Sequence, residues 1–345
     1  MKRMKAAVLY GREEVRVEEV AVPPIEKGDV LVRVRAALTC GTDVKVFRRG
    51  YHAKMIVPPA LFGHELAGDI VKVGSHVESF RVGQRIVAAN SAPCLNCFYC
   101  RKGLENLCED LLFNNGAYAE YIRIPARIVQ RNMYEIPPHL SYQDAALIEP
   151  LACVLKGLEE TNVRPGDHVV VIGQGPIGLM FVRLAKVYGA RVIALGRRQS
   201  QLDRALRMGA HDALLNTDPE SVVRDVKALT GGYGADAVIE AVGNPETWEL
   251  AVRLLRRGGT AQFFGGCPSD TRITLETQLL HYSEIKCIAS FHHTPAYIRK
   301  ALDVVSRGDI SARDFVNREE PLANLLDVLR HLMSHNGHMK TAIIP

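Results

Sequence analysis

The hydrophobic pattern changes period partway along the chain. Up to about residue 150 the apolar positions fall in short runs, among them Ala6-Ala7-Val8-Leu9-Tyr10 and Val30-Leu31-Val32-Arg33-Val34-Arg35. The second alternates apolar with charged residues, the period of a strand with one face covered. Pro23-Pro24 and Lys27-Gly28-Asp29 punctuate these runs as turns. This half of the chain predicts a partly open, mainly antiparallel β-domain with functional loops. Asn114 to Tyr121 reads as a turn entering a strand, and Ser141 as the cap of a helix through Ala145-Ala146-Leu147.

From Pro165-Gly166-Asp167 onward the alternation gives way to continuous apolar stretches. His168-Val169-Val170-Val171-Ile172 has the composition of a parallel strand buried on both faces. Leu179 to Tyr188 reads as a helix, and Arg191-Val192-Ile193-Ala194-Leu195 as the next strand. Ala235 to Glu240 and Thr260 to Gly266 are further strands, each after a helical stretch, so this part is doubly wound α/β. Helices over Pro295 to Arg307 and Leu322 to Ser334 and a last strand at Lys340-Thr341-Ala342-Ile343-Ile344-Pro345 close the chain.

Between the first buried strand and its helix stands Gly173-Gln174-Gly175-Pro176-Ile177-Gly178. In that context a G-x-G-x-x-G run is a dinucleotide site. The glycines allow the turn, the approach of a pyrophosphate and close helix packing, and the helix start offers free amides to the phosphates. Pro176 is tolerated at the first helical position. The following strand ends in Gly196-Arg197-Arg198, where a carboxylate for a ribose hydroxyl is expected if the cofactor is NAD. Two arginines in its place fit a 2′-phosphate and favour NADP over NAD.

Composition narrows the partners. The chain has 345 residues, 47% hydrophobic and 23% charged, enough for two domains. No apolar run approaches the ~18 residues that cross a bilayer. The formal charge of +5 is scattered along the chain, which argues against nucleic acid as a partner. Eight cysteines without a secretory leader point to the cytoplasm, where thiols bind metal or stay reduced.

Four of those cysteines, Cys94, Cys97, Cys100 and Cys108, are spaced C-x2-C-x2-C-x7-C. Four thiolates close a tetrahedral zinc shell and leave no position for substrate, so this is a structural site. An iron–sulfur run would need a shorter last gap followed by proline, and a disulfide knot would need an oxidising compartment. The lobe resembles that of the zinc-containing medium-chain dehydrogenases, the alcohol and sorbitol dehydrogenase family.

That resemblance implies a second, catalytic zinc. Cys40 in Leu38-Thr39-Cys40-Gly41-Thr42-Asp43, His64-Glu65 in Phe62-Gly63-His64-Glu65-Leu66-Ala67-Gly68, and Glu149 in Ala146-Leu147-Ile148-Glu149-Pro150 match the family's ligand order. A glutamate at 149 is similar to the polyol-oxidising branch, where ethanol-oxidising relatives carry cysteine. Glu65 or Glu149 binds the metal directly or through water. A carboxylate in the apolar run around Glu149 also calls for a nearby cation. Asp43 is expected to orient His64, Thr42 to pass on the substrate proton, and Lys45 to stand where many members carry a relay histidine. The places of Tyr51, Phe62, Phe113, Phe291 and His292 stay open.

The resemblance further implies a chaperonin-10-like catalytic domain over 1–150 and 291–345, and a Rossmann domain over 151–290. It implies two zinc ions per chain, reversible oxidation of a secondary alcohol or polyol to a ketone with hydride transfer to NADP or NAD, and a homodimer or homotetramer. Two rivals are a zinc-free quinone or enone reductase on the same fold, and a non-enzymatic zinc-ribbon nucleotide sensor.

Overall fold

The computed structural model describes residues 2–52, 54–334 and 339–345. Two compact units divide the chain: Met1–Ala152 with His293–Pro345, and Cys153–His292. The boundaries lie two residues beyond those expected at both crossings. The first falls inside a helix and the second at adjacent histidines, neither of which the sequence marks with a linker.

The first unit opens with β1 (Arg3–Gly11), β2 (Glu14–Ala21) and β3 (Val30–Leu38), then α1 (Gly41–Arg49). Next come β4 (Ala60–Leu61), β5 (Glu65–Val73), β6 (Arg85–Ala88) and β7 (Ser91–Ala92), and the cysteine lobe with α2 (Phe98–Arg101). β8 (Leu112–Phe113), β9 (Tyr121–Ile124), α3 (Ala126–Asn132), β10 (Met133–Glu135) and α4 (Tyr142–Ala146) follow, and α5 (Ile148–Thr161) carries the chain into the second unit.

The second unit alternates strand and helix. Its elements are β11 (His168–Ile172), α6 (Pro176–Val187), β12 (Arg191–Gly196), α7 (Gln199–Arg207), β13 (Asp212–Leu215), α8 (Pro219–Leu229), β14 (Ala235–Glu240), α9 (Pro245–Arg253), β15 (Leu255–Phe263), α10 (Thr277–Tyr282) and β16 (Lys286–Ala289). The sheet order is β13-β12-β11-β14-β15-β16 with every pair parallel, the doubly wound arrangement. Helix α6 begins three residues before the expected Leu179, because Pro176 occupies its first position with Gly175 as the cap.

The returning segment adds α11 (Pro295–Ser306), α12 (Ala312–Phe315), β17 (Val316–Pro321), α13 (Leu325–Ser334) and β18 (Lys340–Ile344) to the first unit. Its largest sheet runs β10-β6-β5-β3-β18-β17, with β9 also on β3. Pairing is antiparallel except between β17 and β18. Beneath it Val32, Val34, Phe47, Phe62, Tyr118 and Ile343 share one buried cluster.

One register matters most for function. Leu38, at the end of β3, pairs with Glu65 on β5 and with Ala342 on β18. Three remote stretches, around residues 40, 64 and 340, therefore meet at one end of one strand. Among the described residues no helix is long and apolar enough to cross a membrane.

Candidate metal and cofactor sites

Cys40 leaves β3 and caps α1. Its Sγ accepts from the Thr42 backbone N–H at 3.4 Å, and Asp43 Oδ2 reaches back to the Cys40 N–H at 3.0 Å. This reciprocal cap sets a sulfur at the positive end of a helix. The other Asp43 oxygen lies 3.0 Å from His64 Nδ1. Asp43 accepts, so Nδ1 carries the ring proton and Nε2 keeps a lone pair for a metal. Tyr118 completes the clamp by donating to Asp43 Oδ2 at 2.6 Å.

Gly63 makes the clamp possible. Its φ is +88°, and a Cβ there would lie 2.6 Å from Tyr118 Cδ2. Phe62 is buried edge-on to the same ring with centroids 5.7 Å apart, so it is core rather than pocket wall. Tyr51 is 58% exposed.

Cys40, His64 and Glu65 each offer a ligand atom within 4.8 Å of the others. Sulfur, imidazole nitrogen and carboxylate oxygen are the donors zinc takes. Burial works against charge on His64, yet Asp43 and Cys40 outweigh it and hold the ring's pKa well above its ordinary value. Burial likewise opposes ionisation of Asp43, but His64, Tyr118 and the Cys40 N–H hold its carboxyl below the usual range. The donor set fits a zinc ion at this spot.

Glu65 is fully buried, and both its oxygens take Lys340 Nζ, at 2.7 and 2.6 Å. Lys340 also donates to the Thr39 carbonyl at 3.0 Å, while Thr341 and Thr39 exchange bonds across β18 and the end of β3. Desolvation alone would strip the Lys340 proton; Glu65 and Cys40 overcome it and raise the pKa, keeping the ammonium charged.

Glu149, in the first turn of α5, stands outside the Cys40–His64–Glu65 trio. Burial pushes its carboxyl up to about 7, against the pull of His64 and with Glu65 adding to the rise. The nearest ring is a histidine: His293 Nε2 lies 3.6 Å from Glu149 Oε1. Thr42 is half-buried in the first turn of α1, and Lys45 is exposed one turn on. Cys153 is half-buried. Lys340, Tyr118, Asn90 and His293 are the site residues that sequence reasoning missed. A lysine opening a terminal strand and one histidine of an adjacent pair carry no spacing signal.

In the cysteine lobe the four sulfurs also lie within 4.8 Å of one another. Cys94 and Cys100 are 4.0 Å apart and Cys97 and Cys108 3.9 Å, far beyond a disulfide bond. Tetrahedral zinc with sulfurs at ~2.3 Å spaces them by about 3.8 Å. The thiols cannot all ionise without a cation. The Cys100 and Glu109 N–H groups pull Cys97 down to about 6, while burial pushes Cys100 up to about 12. The donor set fits zinc.

In the second unit the cofactor motif bridges β11 and α6. A Cβ on Gly178 would meet the Gly173 carbonyl at 1.7 Å, so only glycine lets this helix start so close to the turn. Gly175, by contrast, faces open space, and Ile177 is half-buried in the first turn. Gln174 is buried and ties β11 to β12 by donating to the Val171 and Leu195 carbonyls at 2.7 and 3.3 Å. Arg197 and Arg198 are exposed just past β12, with Arg198 as the cap of α7. A Cβ on Gly196 would sit 3.1 Å from Leu202 Cδ2 and 3.2 Å from Gln174 Cγ.

Sequence comparison agrees with both halves of this picture. Residues 26–137 match the alcohol dehydrogenase GroES-like domain, and residues 176–307 the zinc-binding dehydrogenase family. The chain is 32% identical to a sorbitol dehydrogenase of Bacillus subtilis, covering 99% of this chain and 97% of that one. It is 30% identical to an erythritol/L-threitol dehydrogenase of Mycolicibacterium smegmatis, covering 99% and 98%. A solved zinc-binding dehydrogenase from Sinorhizobium meliloti, bound to NADP, superposes with a TM-score of 0.91 at 31% identity over the whole of both chains. The chain belongs to the zinc-containing medium-chain dehydrogenases. Within them it lies in the polyol branch, the NAD(P)-dependent enzymes that oxidise alcohols to ketones.

Proposed function

We propose that the chain oxidises a secondary hydroxyl of a polyol to a ketone, with NADP as acceptor and one catalytic and one structural zinc per chain. The observation that carries this is the convergence of Cys40, His64 and Glu65 behind the Asp43–Tyr118 clamp. Polyol substrates are favoured by the sorbitol and erythritol/L-threitol dehydrogenases it resembles along nearly its whole length. When bound, zinc supplies Lewis-acid polarisation of a substrate oxygen and the nicotinamide accepts the hydride.

The chain's own groups do the rest. Cys40 and His64 hold the metal, with Glu65 or Glu149 as the third donor, directly or through water. Asp43 fixes the His64 tautomer. Lys340 sets the charge balance by keeping Glu65 paired, and that pairing competes with any direct bond from Glu65 to the metal. Thr42 takes the substrate proton outward. The structural zinc belongs to Cys94, Cys97, Cys100 and Cys108.

NADP rests on Arg197 and Arg198, with support from the NADP-bound structure it resembles. A guanidinium fork matches a phosphate in charge and geometry, and charge-assisted bonds contribute about 1.5–3 kcal/mol each. One bond therefore shifts preference by roughly tenfold or more. The test is a panel of secondary alcohols and polyols with NADP⁺ and NAD⁺, in the wild type and with Arg197→Ala and Arg198→Ala. Polyol turnover with a NADP⁺ preference that the arginine changes erase supports the assignment. Silence with every alcohol, or a NAD⁺ preference indifferent to both changes, removes it.

We also propose a homodimer or homotetramer in a reducing compartment such as the cytoplasm. Strand β16 ends the parallel sheet with Lys286, Cys287 and Ala289 exposed, whereas β11 and β12 are almost wholly buried. Parallel strands are stable when covered, and a second copy of the chain would cover this edge. Light scattering of the eluted protein reads the mass directly. The eight thiols, five of them set as ligands, fit reducing surroundings.

A further inference from the structure

We propose that His293 is a positioning residue for Glu149, with Asn90 fixing the imidazole ring. The first residue of the returning segment thereby governs how Glu149 is presented to the Cys40–His64 pair. The inference rests on the reading above, that this pair holds zinc.

All three side chains belong to the first unit and are buried: His293 is 2% exposed, Asn90 3% and Glu149 6%. Polar groups so deep are tolerated only where they serve one another. His293 Nε2 lies 3.0 Å from Asn90 Oδ1 and 3.6 Å from Glu149 Oε1. The amide oxygen only accepts, so Nε2 carries a proton and turns its positive edge to both neighbours. The opposite amide orientation would aim the ring's lone pair at a carboxylate oxygen 3.6 Å away, which is repulsive. The imidazole is thus bonded to Asn90 and steers Glu149 electrostatically, at a distance too long for a full hydrogen bond. Glu149 keeps its lone pairs for another partner.

Both anchors are rigid. Asn90 follows β6, and its carbonyl accepts the Asn114 N–H at 2.8 Å. His293 precedes Thr294, the cap of α11, whose first position is Pro295. Neither anchor is free to follow the carboxylate if it swings, so the pair defines one direction for Glu149. The Asp43 clamp does the same for His64 from the opposite side of the chain's order. A metal site held by second-layer partners of this kind loses about 10- to 100-fold in metal affinity when one is removed.

The experiment measures zinc affinity by chelator competition and the visible d–d spectrum of the cobalt(II)-substituted enzyme. His293→Phe keeps the volume without the donor, and Asn90→Leu releases the ring while keeping the histidine. Each is expected to weaken the catalytic metal by about 10- to 100-fold and shift the cobalt band. His293→Gln, which restores an N–H, should recover most of the loss. In a Glu149→Gln background His293→Phe should add little. Wild-type affinity and spectrum in both His293→Phe and Asn90→Leu overturn the proposal, as do losses from His293→Phe and Glu149→Gln that simply multiply. A wild type that retains only the lobe zinc removes the functional reading itself, a result distinct from either.

Discussion

Lys340 and Glu65 form a buried ion pair across 275 residues of sequence, with the ammonium 2.6 and 2.7 Å from the two carboxylate oxygens. Removing one partner of such a pair leaves an uncompensated charge and costs about 3–5 kcal/mol. Lys340→Met should lower the unfolding free energy of the first unit, read from urea titrations, by about that amount. Lys340→Met with Glu65→Leu should restore much of the stability. A single variant as stable as wild type would mean that Glu65 is neutral or has turned to the metal.

Metal content tests the two proposed zinc sites. Elemental analysis of the purified protein should give a ratio near two. Cys97→Ser should lose the lobe metal and destabilise its loop, because four sulfurs without a cation cannot share that space. Cys40→Ser should lose the other metal and all activity yet remain folded. Equal unfolding in the two variants contradicts the division into structural and catalytic sites.

Thr42 is tested by rate. It is half-buried in the first turn of α1, two residues from Cys40, and is proposed to relay the substrate proton. Thr42→Ala should slow alcohol oxidation by about 10²–10⁴-fold at unchanged metal content. An unaltered rate across the pH range takes the threonine out of the mechanism.

Acid stability should depend on Asp144. Burial alone would raise its carboxyl, but Ser141, the Ala312 N–H and Ser311 bond the charged form and hold the pKa below its ordinary value of 3.8. The folded state therefore binds this proton less readily than the unfolded one. Its contribution is complete above pH 3.8 and fades as pH falls through the lowered value. Asp144→Asn should lose stability near neutrality, by less than a fully buried charged bond would give because the carboxylate is partly exposed to solvent, and its gap from wild type should narrow in acid. A gap constant from neutral to strongly acidic pH disproves the linkage.

The sequence makes the second unit easier to read than the first. Strands β11 and β12 are continuous apolar runs and the glycine motif marks the turn between strand and helix, so local pattern and tertiary role coincide. In the first unit the pairing is remote. Strand β3 pairs with β5, β9 and β18, and alternation in Val30–Arg35 says nothing of which neighbours it has. Cys40, Asp43 and His64 were legible because their contexts resemble a known family. Lys340 reads as an ordinary charge at the mouth of a strand, and Asn90 as a turn residue. Their roles come from burial and register, which only the fold supplies.

The register at the end of β3 also bears on the order in which the protein is made. Every strand of the parallel sheet lies between residues 168 and 289, so that unit has all its parts while the ribosome is still translating the returning segment. The first unit, begun earlier, must wait. Until residue 340 emerges, the Ala37–Leu38 end of β3 lacks its β18 partner and Glu65 has no ammonium. The unit begun first is thus completed last, and the catalytic pocket reaches its charge balance only after the nucleotide-binding half has had time to close. A nascent chain released short of that lysine would carry an intact sheet for the cofactor and a buried, unanswered carboxylate, the kind of half-built product that cellular proteases remove.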